Sequence, residues 1–163
     1  MTAFSYVFLW SRNAGQWAPP PEGMSFALVL VGNAMAALLA WGACRALRLD
    51  RPRSPVIATL MMVLAAALIG GAWGIDIDSW LASGLRPSET AQGAVVFAFL
   101  SWNGVFAAIS ALMGLYALAR WMAGHVEAAR PSTFDLIALF IGFSAGQGAF
   151  AALLTRLFPG GVI

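Results

Sequence analysis

Charged residues divide this chain into four long apolar runs. No Asp, Glu, Lys or Arg occurs at positions 23–44, 54–75, 90–119 or 136–155. Each run reaches or exceeds the roughly 20 residues that a helix needs to cross a ~30 Å hydrocarbon layer. The pattern predicts an all-α integral membrane protein, a four-transmembrane-helix bundle with spans at about 24–45, 54–75, 92–120 and 134–157. In the first run Gly32, Ala36 and Ala40 recur every fourth residue, a small-residue face that permits close helix approach. Gly70, Gly71 and Gly74 thin the end of the second, and Gly142, Gly146 and Gly148 lie in the fourth. No internal repeat stands out.

The segments between the runs are short. Arg45, Arg48, Asp50, Arg51, Pro52 and Arg53 make a basic turn, and Asp76 and Asp78 open an acidic loop that continues through Arg86 and Pro87 to Glu89. Gly124, His125, Glu127, Arg130 and Pro131 form the third connection. Arginines concentrate in the first and third connections, so the positive-inside rule puts these in the cytoplasm and both termini on the periplasmic side of a bacterial inner membrane. Residues 1–22 read as an interfacial segment with a stiff Pro19-Pro20-Pro21 link, or as a frayed terminus. Their apolar stretch is interrupted at Arg12, too early to span, and the basic residue follows the apolar run, opposite to a signal peptide.

Composition removes several function classes. With 61% hydrophobic and 10% charged residues, the chain has a bilayer as its natural solvent. Its net charge of +2, carried on dispersed arginines without lysine, gives no basic surface for nucleic acid. One cysteine, Cys44, forms no internal disulfide, and with the single His125 it builds no ordinary metal site. Cys44 reads as a small packing residue and His125 as a solvated loop residue. No catalytic, cofactor-binding or metal residue is expected in this chain.

The runs contain no charge in their interiors, so polar chemistry within them rests on amides. Asn33, Asn103 and Gln147 fall near the middles of the first, third and fourth spans. An unpaired amide in hydrocarbon costs several kcal/mol, whereas interhelical pairs return about 0.6–2 kcal/mol. These groups are therefore expected to bond one another, a backbone carbonyl or a neighbouring subunit. Packing positions are assigned to Asn33, Trp102, Asn103, Gly104, Gln147 and Gly148. Arg120 and Asp135, at the same ends of the third and fourth spans, are expected to approach each other or share a lipid headgroup.

The second half carries a resemblance. The runs Leu81-Ala82-Ser83-Gly84-Leu85-Arg86-Pro87, Ala91-Gln92-Gly93-Ala94-Val95-Val96, Trp102-Asn103-Gly104, Ala117-Leu118-Ala119-Arg120, Thr133-Phe134-Asp135, Ala138-Leu139-Phe140, Gln147-Gly148 and Leu157-Phe158-Pro159 follow one another in order. Together they resemble the last two helices of subunit III of bacterial haem-copper cytochrome c oxidases, most closely the forms fused behind subunit I. The likeness covers about 79–160, and 1–75 matches weakly. Phe106 stands where the family commonly has histidine, and Ile141-Gly142-Phe143 where it has Trp-His-Tyr. Fewer spans than a full subunit III make this chain similar to a shortened or split form.

The resemblance implies an accessory, non-redox subunit of a terminal oxidase, not catalytic by itself. It implies packing on the catalytic subunit I beside other oxidase subunits and membrane lipids, in support of oxygen reduction and proton pumping. Haem and copper are then expected in the partner. The alternative is a small multi-spanning transporter or channel component with the amides lining a path. A lipid-modifying enzyme ranks last, because Asp76, Asp78 and Glu89 have no histidine on their side.

Overall fold

The structure is a computed structural model, and it describes residues 20, 21, 23–49, 51–126 and 131–157. Apart from Pro20 and Pro21, the segment expected at the interface lies outside the described residues. Among the described residues four α-helices follow in chain order: α1 Gly23–Arg48, α2 Ser54–Ala82, α3 Ala91–Met122 and α4 Ser132–Leu157. At 26, 29, 32 and 26 residues and 1.5 Å per residue they run about 39–48 Å, more than the hydrocarbon thickness. All four are long and apolar enough to cross a membrane, and the chain is an all-α four-helix bundle.

Local chemistry sets the helix ends. Pro55 occupies the first turn of α2, where its missing N–H costs nothing. Thr90 caps α3 by accepting a hydrogen bond from Gly93 N at 2.9 Å. α3 ends in a Schellman turn. Gly124 adopts φ +72°, His125 N donates to Arg120 O at 2.8 Å, and Gly124 N donates to Trp121 O at 2.9 Å.

One boundary departs from the sequence reading. The charge-free run predicts a second span at 54–75 with Asp76 and Asp78 in a loop, but α2 continues to Ala82. Asp76 keeps the helical spacing of the buried stripe Ala65, Ile69, Ala72 and Trp80. An ion pair, described below, removes the reason for the helix to stop there.

α1 packs most extensively on α2, α2 next on α3, and α4 leans on α1 more than on its sequence neighbour α3. Small residues make this close approach possible. Ala36, Ala40 and Ala43 of α1 and Ala58 and Ala65 of α2 are almost wholly buried, with Leu47, Met62 and Ile141 filling the spaces between them. The four-residue repeat of α1 is thus its inward face, and a Cβ at Gly32 would come within 3.2 Å of Ala72 Cβ. Outward-facing apolar side chains such as Leu38, Leu60, Leu112 and Leu139 are exposed, as befits a surface bathed in lipid.

The α2–α3 contact supplies a sharp test. A Cβ on Gly114 would lie 2.9 Å from Ala66 Cβ. Gly114→Val should destabilise the bundle by about 1–3 kcal/mol through overpacking, read as a lowered midpoint of thermal unfolding in detergent or nanodiscs. An unchanged midpoint would mean that the two helices do not approach in this way.

Candidate functional site: a polar knot among four helices

In sequence Asp76 and Arg156 stand just beyond the charge-free runs, and the structure buries them against each other at one end of the bundle. Asp76 of α2 and Arg156 of α4 are both buried, with Arg156 Nη1 2.7 Å from Asp76 Oδ1. The contact is close but poorly aligned, so neither atom has a directed hydrogen bond within the chain. Arg156 Nη2 donates to Ser79 Oγ at 2.9 Å, and Ser79 Oγ donates to Asp76 O at 2.8 Å. The guanidinium carbon also lies 5.5 Å from the Trp80 ring centroid and 5.6 Å from that of Phe26. Arg156 sits in the last turn of α4, where a cation also meets the negative end of the helix dipole.

The same acid borders a small cavity of about 20 Å³ lined by residues of all four helices. Its polar walls are Asn33 from α1, Asp76 from α2, Asn103 from α3 and Ser144 from α4. Asn33 Nδ2 donates to Val29 O of its own helix at 2.8 Å. A Cβ at Gly148 would stand 2.9 Å from Asn33 Oδ1, so the missing side chain at Gly148 makes room for that amide. Asn103 Oδ1 is buried with no partner in the chain. Ser144 Oγ donates to Phe140 O at 2.9 Å and receives a long contact from Ser110 Oγ at 3.4 Å.

The other expected site residues are distributed as follows. Gly104 leaves space for the Trp73 indole, 3.0 Å from where a Cβ would be, and Trp73 Nε1 donates to Leu100 O at 2.8 Å. Trp102 is exposed and meets Phe106 edge-on at 5.4 Å. Gln147 does not join the knot. It lines a shallow hollow on α4 with Phe143, Gly146 and Phe150, and its Oε1 has no partner in the chain.

The expected Arg120–Asp135 approach does not occur. Asp135 pairs with Arg48 at 2.8 Å, while Arg120 donates to His125 O at 2.8 Å and to Tyr116 OH at 3.3 Å. The reason is the packing order, since α4 lies on α1 and Asp135 therefore faces the end of α1. With side chains 59% and 38% exposed, such a pair contributes only about 0–1 kcal/mol. Beside it, an open groove of about 880 Å³ runs between α1 and α4, with Trp41, Leu139 and Phe143 along its wall and Arg45 and Arg48 at its mouth. Cys44 also borders it, donating to Phe134 O at 3.4 Å.

Reasoning from sequence missed Asp76 and Arg156 because it used charges as loop markers. Two signals were present: Asp76 continues the buried i, i+4 stripe, and opposite charges close α2 and α4 at the same end of an antiparallel bundle. Among the described residues no group of three His, Cys, Asp or Glu side chains comes together as a metal site. Fold and apolar helices define a multi-pass membrane protein. No family model matches the chain, and no curated protein matches it either.

Breaking the buried pair has a calculable direction. Asp76→Leu alone strands the Arg156 cation and should cost about 3–5 kcal/mol. Adding Arg156→Met should recover most of that loss, since two apolar side chains can replace a buried pair at little cost. Denaturation in micelles of the wild type, the single variant and the double variant measures both. Full additivity would show that the two groups do not interact.

Proposed function

We propose that this protein is an accessory, non-redox membrane subunit of a bacterial haem-copper terminal oxidase, similar to cytochrome c oxidase subunit III. In this reading it packs on the catalytic subunit, which carries the haem and copper, and supports oxygen reduction and proton pumping without a cofactor of its own. The observation that carries the reading is where the resembling motifs fall. Gly93, whose Cβ would overlap the Arg86 carbonyl, closes the α2–α3 turn, and Gly104 receives Trp73. Gly148 receives Asn33, and Phe134 is buried at the head of α4. The short sequence likeness thus takes in several joints of the bundle, together with exposed positions such as Leu81, Trp102 and Leu139.

One surface feature agrees with a life beside other components. The α1–α4 groove, apolar along its wall and arginine-bearing at its mouth, suits a phospholipid. The bacterial inner membrane and periplasmic termini belong to the same proposal, resting on the arginine bias of the first and third connections.

Gentle solubilisation of native membranes should bring down this chain together with haem-bearing polypeptides, while the isolated chain shows no visible absorption. Purification without any haem protein would remove the oxidase reading. A reporter fused after Ile163 should be active only when exported, and cytoplasmic activity would reverse the topology.

The buried ion pair favours a second reading as a transporter or channel component, because ionisable groups within membrane helices commonly mark ion or proton paths. Flux across liposomes containing only this chain would support that reading, and tight liposomes would support the first.

A further inference from the structure

We infer that the cavity at the four-helix junction is a binding site for one neutral water molecule, which donates hydrogen bonds to Asn103 Oδ1 and to the Asp76 carboxylate. Size is the first argument. The cavity measures about 20 Å³, and one water needs roughly 10–15 Å³ of such space together with two to four polar partners. A second molecule, or an organic ligand, does not fit.

Hydrogen-bond demand is the second argument. Asn103 is 8% exposed and lines the cavity, and its Oδ1 is buried without a partner in the chain. Asp76 Oδ1 also lacks a directed hydrogen bond despite its contact with Arg156. Both are acceptors, so the occupant must supply two donated hydrogens, which water does. One Asn33 Nδ2 hydrogen is directed to Val29 O and the Ser144 hydroxyl hydrogen to Phe140 O, and neither group is hydrogen-bonded to Asn103 Oδ1 or Asp76 Oδ1. These neighbours therefore do not meet the demand themselves.

Charge is the third argument and sets the chemical class. Four oxygen-bearing walls could suggest a small cation. Arg156, 2.7 Å from the only carboxylate at the site, already balances it. A cation added there would meet a neutral pair with a guanidinium at close range and would gain little net attraction. The site thus takes a neutral donor, and the water acts as a fifth strut between α2 and α3.

The test uses the full chain in lipid nanodiscs. A density map fine enough to resolve ordered water should contain one peak within hydrogen-bond distance of Asn103 Oδ1 and Asp76. Infrared difference spectra in H₂O and H₂¹⁸O should contain an isotope-shifted O–H band from a protected water, lost in Asn103→Val and retained in Arg45→Gln at the remote groove. If Asn103→Val does not fold, the wild-type map and band decide alone. A wild type with neither peak nor band overturns the inference, as does a band unchanged in Asn103→Val. A peak replaced by rubidium or thallium would identify a cation site and overturn it equally.

Discussion

A carboxylate and a guanidinium facing each other inside an apolar bundle constrain more of this protein than any other contact. Taking either charge out of water costs several kcal/mol, and only the opposite charge and supporting hydrogen bonds offset the loss. Asp76 and Arg156 are far apart in sequence yet must meet within a few ångströms, so the pair ties the final turns of α2 and α4 to one another. Apolar packing can slide by a turn at modest cost. An ion pair cannot, and the register of the two helices follows from it.

Such a pair is reachable only because the helices approach closely. In lipid no hydrophobic force drives helices together, so association depends on dispersion contacts and hydrogen bonds, both steep in distance. Alanines at 36, 40, 43, 58 and 65 bring α1 and α2 into contact, and three glycines then act as sockets. Gly114 takes Ala66, Gly104 takes the Trp73 ring and Gly148 takes the Asn33 amide. Side chains absent on one helix are filled by side chains from another. The cavity is what this interlocking leaves where four polar groups converge.

Much of this was legible in the residues. Four spans, their order and the inward face of α1 follow from charge-free length and small-residue spacing, properties that the bilayer imposes locally. Asn33, Asn103 and Gly148 were recognised as interior positions and do meet, whereas Gln147, equally central in its helix, points elsewhere. Depth can be counted along one helix, but azimuth depends on which neighbour a helix chooses. The same limit explains Asp135, assigned to Arg120 by chain proximity and bound to Arg48 because α4 selects α1. Asp76 was lost to a rule of thumb that treats charge as the end of a span, a rule that fails when the partner charge arrives from a distant helix.

Polarity is unevenly spread along the bundle, and that bears on which functional reading is stronger. At one end Arg156, Asp76, the cavity, Ser144 and Ser110 form a continuous polar thread into the interior. Beyond it Met62, Ala65, Ala117, Ile137 and Ile141 form a buried apolar layer before the exposed Arg48–Asp135 pair is reached. A conducting path would need donors and acceptors through that second half, where each apolar layer raises the cost of a dehydrated ion or an excess proton. A polar cluster gathered at one end orients four helices around one point, which agrees with the structural role proposed for this chain.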